Sequence, residues 1–92
     1  ASLSLEPNYP NPFNPSTTLQ FNLGRAGHVR LAIHDVAGRL VRTLVDEERA
    51  AGRHSVQWDG RGDAGNLVAA GIYFVRVASG KEADIRKIAL IK

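Results

Sequence analysis

Glu6-Pro7-Asn8-Tyr9-Pro10-Asn11-Pro12-Phe13-Asn14-Pro15-Ser16 runs straight into Thr17-Thr18-Leu19-Gln20-Phe21-Asn22-Leu23, and the two halves of this stretch decide the fold class. All four prolines of the chain lie in the first half, within nine positions. Each locks its own φ near about −65°, lacks a backbone donor, and drives the residue before it (Glu6, Tyr9, Asn11, Asn14) toward extended or polyproline II geometry. A helix is excluded, and so is a central strand, whose ladder cannot lose four donors. What remains is an edge segment or stiff connector, with Tyr9 and Phe13 expected to pin it to an apolar surface. The second half alternates. Leu19, Phe21 and Leu23 share one face and Thr18, Gln20 and Asn22 the other, the period of a half-buried strand.

Working outward, Leu3 and Leu5 alternate with serines as a short first strand, and Gly24-Arg25-Ala26-Gly27 turns the chain after Leu23. His28 to His34 repeats the pattern, Val29, Leu31 and Ile33 inward and His28, Arg30, Ala32 and His34 outward. Asp35-Val36-Ala37-Gly38 fits a type I turn leading into a hairpin strand from Arg39 to Val45. Asp46 to Gly52 reads as a charged, solvated connector with one helical turn over residues 47–51. Arg53 to Trp58 alternates again, and Trp58 is the strongest single core anchor. A glycine-rich loop, Asp59 to Asn66, precedes the most apolar strand, Ile72 to Ala78, on which Tyr73, Val75 and Val77 face one way. Ile85 to Ile91 closes the chain with Ile88 and Leu90 on one side.

Short strands at this spacing predict an all-β fold, an Ig-like Greek-key sandwich of about seven antiparallel strands, built as one domain over residues 1–92. Its expected core is Leu19, Phe21, Leu31, Ile33, Val56, Trp58, Tyr73, Val75, Val77, Ile88 and Leu90. Tyr73, just after the Gly71 corner, is expected to hydrogen-bond to nearby backbone as a tyrosine corner does. A chain of 92 residues holds one small core and no second one. No apolar run reaches membrane-spanning length, so no transmembrane segment is expected. The chain starts at Ala1 without a basic-then-apolar leader, which reads as a fragment or processed product of a longer protein. The absence of cysteine removes disulfides, thiolate catalysis and thiolate metal sites. A net charge of +3 is too small an excess to argue for nucleic acid.

Several motifs carry less chemistry than they suggest. Gly60-Arg61-Gly62-Asp63-Ala64-Gly65 matches a dinucleotide-binding glycine pattern, which works by offering helix N-terminal amides to a pyrophosphate. No helix fits between it and the strand after Gly71. Arg61-Gly62-Asp63 is an adhesion tripeptide in form, a string short enough to arise by chance. Asp59, Asp63 and Asn66 offer oxygens to a calcium ion, but Arg61 and Ala64 break the EF-hand spacing, and turn capping is the expected role of the aspartates. His28 and His34 lie about 20 Å apart on an extended strand at ~3.3 Å per residue, too far to share a metal. No nucleophile has a base in prospect and no carboxylates pair, so no catalytic residue, no metal site and no cofactor is expected. The arginines are spread over several strands with few aromatics left for stacking, which argues against a nucleic-acid partner.

Tyr9 to Thr18, the Asp35-Val36-Ala37-Gly38-Arg39 turn with its flanks from Val29 to Val45, Trp58-Asp59-Gly60, Gly71-Ile72-Tyr73-Phe74 and the ending Lys87-Ile88-Ala89-Leu90-Ile91-Lys92 together resemble type IX secretion sorting domains. The Trp-Asp-Gly and Gly-x-Tyr segments are also similar to the Ig-like domain of flagellar hook-capping proteins. The first resemblance implies a non-catalytic C-terminal sorting domain of Bacteroidetes-type bacteria. It would direct an upstream cargo in the same chain through the periplasm and the outer membrane to the cell surface. Its implied partners are the outer-membrane secretion machinery and its C-terminal-signal protease. The recognition residues it implies are Pro10, Asn11, Pro12, Gly71, Lys87, Ile88, Leu90, Ile91 and Lys92. The last strand is expected to offer an edge for β-augmentation with charges to orient it. The alternatives are a hook-cap-like accessory or assembly module and a carbohydrate-binding module of a secreted hydrolase, for which Tyr9, Phe13 and Phe74 are the candidate aromatics.

Overall fold

The two-residue period becomes strands wherever it was long enough to bury one face. In the computed structural model, which describes residues 3–91, Thr17–Leu23 (β2) buries Thr17, Leu19, Phe21 and Leu23 and leaves the residues between them half-buried. The other strands are β1 (Ser4–Leu5), β3 (Gly27–Asp35), β4 (Leu40–Arg49), β5 (Gly52–Trp58), β6 (Gly71–Ser79) and β7 (Glu82–Leu90). They form two antiparallel sheets, β1-β2-β5 and β4-β3-β6-β7, packed as the expected Ig-like sandwich. Compared with a constant-type Ig layout, the fourth strand pairs with the third and so belongs to the larger sheet.

The core lies between the sheets and contains every residue expected there, with one reservation. Val56 is only half-buried and packs against the core from its margin. It sits on β5, an edge of the three-stranded sheet, where one flank has no neighbouring strand. Trp58 is fully buried, its ring 5.5 Å from those of both Phe13 and Tyr73. Its indole N–H donates to the Arg61 carbonyl at 2.9 Å, so the one polar atom of the side chain is satisfied. The Tyr73 hydroxyl donates to the Ala69 carbonyl at 2.6 Å, forming the tyrosine corner.

Three local expectations are corrected. Asp46–Arg49 is not loop or helical turn: it continues β4, pairing with Arg30, Val29, His28 and Gly27 of β3. Only residues 50–51 connect it to β5. Charged side chains suit an edge strand, and here Asp46 meets His28 while Glu47 and Arg49 pair at 2.8 Å. Ala32 faces outward by phase yet is buried: it lies on the central β3, flanked in register by the longer Thr43 of β4 and Arg76 of β6. Tyr9 does not pin the proline segment. It is 81% exposed, and Phe13 alone is buried.

Candidate functional site

Prolines remove donors, so the entry segment can bond only through the few amides left to it. Tyr9 exchanges backbone hydrogen bonds with Thr18 of β2, at 3.1 and 2.9 Å. Four residues later the chain has crossed to the other sheet. The Phe13 N–H donates to the Ala89 carbonyl at 3.0 Å and the Ile91 N–H to the Phe13 carbonyl at 2.9 Å, a parallel bridge to the end of β7. Asparagine side chains supply what proline backbones lack. Asn11 Oδ1 accepts from the Ala89 N–H at 3.2 Å, and the buried Asn8 amide donates to Thr17 Oγ1 at 3.0 Å and to the Pro10 carbonyl at 3.2 Å. The Thr17 hydroxyl donates to the same carbonyl at 2.8 Å. The Tyr9-Pro10, Asn11-Pro12 and Asn14-Pro15 peptide bonds are cis.

Of the residues implied by resemblance, Asn11, Gly71, Leu90 and Ile91 meet at one end of the sandwich. Asn11 bonds to Ala89 at the end of β7, the Pro10 carbonyl before it is turned to Asn8 and Thr17, and Gly71, with φ +149°, opens β6 directly opposite Leu90. Ile91 is exposed there, whereas Ile88 and Leu90 point into the core and hold the strand down. Lys87 stands on the outer face of the sheet opposite Phe74. Lys92 lies outside the described residues. Pro15, Leu67, Val68, Leu90 and Ile91 line a shallow apolar groove of about 260 Å³ beside the entry segment. Gly60 closes its floor. With φ +78°, and with room for a Cβ only 3.0 Å from the Pro15 carbonyl, this position requires glycine.

The loop that tempted as a metal or nucleotide site is engaged structurally. Asp59 accepts from the Arg61 N–H at 3.1 Å, and Asp63 accepts from the Thr43 N–H at 3.1 Å while its own N–H donates to the Val41 carbonyl at 2.9 Å. Arg42 reaches Asp59 at 3.5 Å and Asp63 at 3.9 Å, so the aspartates fasten the loop to the edge of β4. Among the described residues no three His, Asp or Glu side chains are grouped as metal ligands would be. At the β3–β4 turn, Asp35 takes the backbone N–H groups of Arg39 and Ala37. Donation from the Arg39 backbone, helped by its guanidinium, holds the Asp35 carboxyl below its usual range despite the opposing effect of desolvation. Burial, with the nearby Asp35 charge, pushes the Tyr73 hydroxyl up. The candidate sugar-binding aromatics do not form one platform: Phe13 is buried, Tyr9 stands exposed near the entry, and Phe74 is half-buried on the outer sheet face.

The sequence reading missed a second constellation. Glu82 Oε1 accepts from the Leu3 N–H at 2.8 Å, Asp84 Oδ2 accepts from the Leu5 N–H at 2.8 Å, and Arg86 Nε donates to the Leu5 carbonyl at 3.0 Å. Three charged side chains of β7 thus complete the backbone of β1. The signal was parity: residues 82, 84 and 86 share the phase of the buried Ile88 and Leu90, and charges on an inward phase need partners.

Residues 13–83 match the family described as FlgD Ig-like domain. The chain belongs to this family. FlgD from Xanthomonas campestris, described in terms of hook capping essential for flagellar assembly, is 28% identical with a TM-score of 0.66, covering 96% of this chain and 64% of its own. PorZ of Porphyromonas gingivalis, described as an essential surface component of the type IX secretion system, is 27% identical with a TM-score of 0.63, over 98% of this chain and 11% of PorZ. Latent PorU of the same organism superposes with a TM-score of 0.74 over 99% of this chain and 10% of PorU, at 22% identity, a likeness of fold. This FlgD-type domain therefore spans less than two thirds of each of these proteins. No curated protein matches it.

Proposed function

We infer that this FlgD-type Ig-like domain is a non-catalytic C-terminal sorting domain that directs an upstream cargo through the type IX secretion system, across the outer membrane, to the cell surface. The observation that carries the reading is the docking of the Tyr9–Pro15 entry onto the end of β7, which joins the two most family-specific segments into one continuous surface. A receptor that reads this surface meets Asn11, its flanking prolines and Ile91 at once. The likeness to PorZ over nearly the whole chain supports the same context. Secretion machinery of the outer membrane and a signal-removing protease are the partners, and no chemistry is performed by the domain itself.

The test is a reporter fused ahead of the chain in a type IX host. The intact domain brings the reporter to the surface, as read by protease accessibility on whole cells. Replacing Lys87 and Lys92 with glutamate lowers surface delivery, the substitution at the exposed Lys87 leaving stability within about 0.5 kcal/mol. Failure of the intact domain to deliver any reporter overturns the reading; undiminished delivery by the double variant removes the charges from it. A hook-cap-like assembly module is the second reading, favoured by the family match and by the FlgD of X. campestris. A flagellar scaffold upstream in the full-length gene would select it.

A further inference from the structure

The sandwich has four sheet edges, closed to different degrees. β1 is completed by Glu82, Asp84 and Arg86. β4 is covered at Val41 and Thr43 by Asp63. β5 is a polar edge on which Arg53 is already engaged with Gln20 and Glu6. On β7 the entry segment covers only Ala89 and Ile91, whose backbone groups face away from β6. The strand period turns the backbone of Ala83, Ile85 and Lys87 the same way. Among the described residues these three have no backbone partner on that side, and only the Ile85 N–H is occupied, by the adjacent Asp84 carboxylate at 2.9 Å.

The side chains around this open stretch have a definite character. Ile85 is 55% exposed, Arg76 lies opposite it on β6, and Phe74 lies opposite Lys87. Among the described residues Arg76 and Lys87 enter no ion pair. We propose that the open edge of β7 from Ala83 to Lys87 receives an extended segment of a partner protein as a fifth strand of the larger sheet, apolar where it passes Ile85 and acidic where it passes Lys87. The inference rests on the domain's being a recognition module and names the chemistry of what it recognises. The added strand is short, about five residues or ~17 Å, because Asn11 and Phe13 occupy the edge beyond Lys87. Main-chain bonds supply affinity and the flanking side chains choose the partner. A second copy fits less well: paired about Ile85, it sets Ala83 against Lys87 and leaves the outer cations without carboxylates.

The probe is a blocked peptide, Thr-Glu-Thr-Val-Thr-Val-Thr, titrated into the isotope-labelled chain beside a counterpart carrying lysine in place of glutamate. Amide shifts concentrate at Ala83, Ile85 and Lys87, and the acidic peptide binds about threefold to tenfold more tightly, the scale of an exposed opposite-charge pair set against a like-charge one. Ile85→Pro sets a ring on the edge in place of the N–H held by Asp84, so a partner strand cannot close on it and binding is lost while Trp58 emission stays that of the folded chain. Should that variant misfold, Lys87→Glu replaces it, and the preference inverts toward the lysine peptide. Equal binding of the two peptides, shifts confined to another edge, or no shifts at all overturn the proposal. So does concentration-dependent loss of the same amide signals without peptide, which assigns the edge to a second copy. Peptide binding is measured on the chain alone. Reporter delivery that fails while binding persists therefore counts against the secretion role, and absent binding with intact delivery counts against the edge.

Discussion

Tyr73 is the residue at which packing, hydrogen bonding and electrostatics meet. Its ring stands edge-on to Trp58 and its hydroxyl reaches back to Ala69. Tyr73→Phe keeps the ring and loses one hydrogen bond, whose acceptor lies on an exposed residue that water can serve, so the expected cost is about 1 kcal/mol by urea denaturation at neutral pH. The same hydroxyl sets a pH dependence. Because burial and the Asp35 charge raise the Tyr73 pKa in the folded state, its contribution is fully present below about pH 10, where an unfolded tyrosine ionises, and is lost as pH rises through the higher folded value. Stability of the parent and of Tyr73→Phe should therefore converge in strong alkali. A constant difference across that range would mean that the hydroxyl is not the source.

At the scale of the element, the strands were legible and their partners were not. Alternation in residues 17–23, 28–34 and 72–78 reports which face is buried, since a side chain's direction follows from local geometry. It is silent about which segment lies alongside. The charged run Asp46–Arg49 looked like a connector because its residues are polar, but an edge strand with one solvated flank tolerates that composition, and its pairing with β3 is a long-range fact. Likewise the four prolines marked an edge segment, while the amides that fasten it to β7 are those of residues more than seventy positions away. Gly60 tests this junction. A Cβ there meets the Pro15 carbonyl at 3.0 Å in a backbone conformation that favours glycine, so Gly60→Ala should cost upwards of about 1 kcal/mol. It should also loosen the entry segment, read as faster exchange of the Phe13 and Ile91 amides. Unchanged exchange would separate the loop from the junction.

Taken as a whole molecule, the domain is closed by its first residues, which are fastened to side chains along its last strand and to the backbone at that strand's end. Leu3 and Leu5 fill one side of the core and take the side chains of Glu82, Asp84 and Arg86; Phe13 fills the other end against Trp58 and bonds to Ala89 and Ile91. A domain of this size has about 5–14 kcal/mol of stability to lose. Removing residues 1–6 exposes the core where Leu3 and Leu5 sat, about 1.5–3 kcal/mol each, and leaves three charged side chains of β7 without the backbone they complete. The shortened chain should remain folded but unfold at a distinctly lower urea concentration, followed by the emission of its single tryptophan. Removing residues 1–14 also takes Phe13, whose loss alone is of the order of 3–5 kcal/mol, and uncovers the end of β7. The sum approaches the whole of the available stability, so this chain should show the emission of an exposed tryptophan without denaturant. If it instead unfolded cooperatively with Trp58 still buried, the entry segment would be an appendage on a self-sufficient sandwich, and the joined surface on which the sorting reading rests would have no structural necessity.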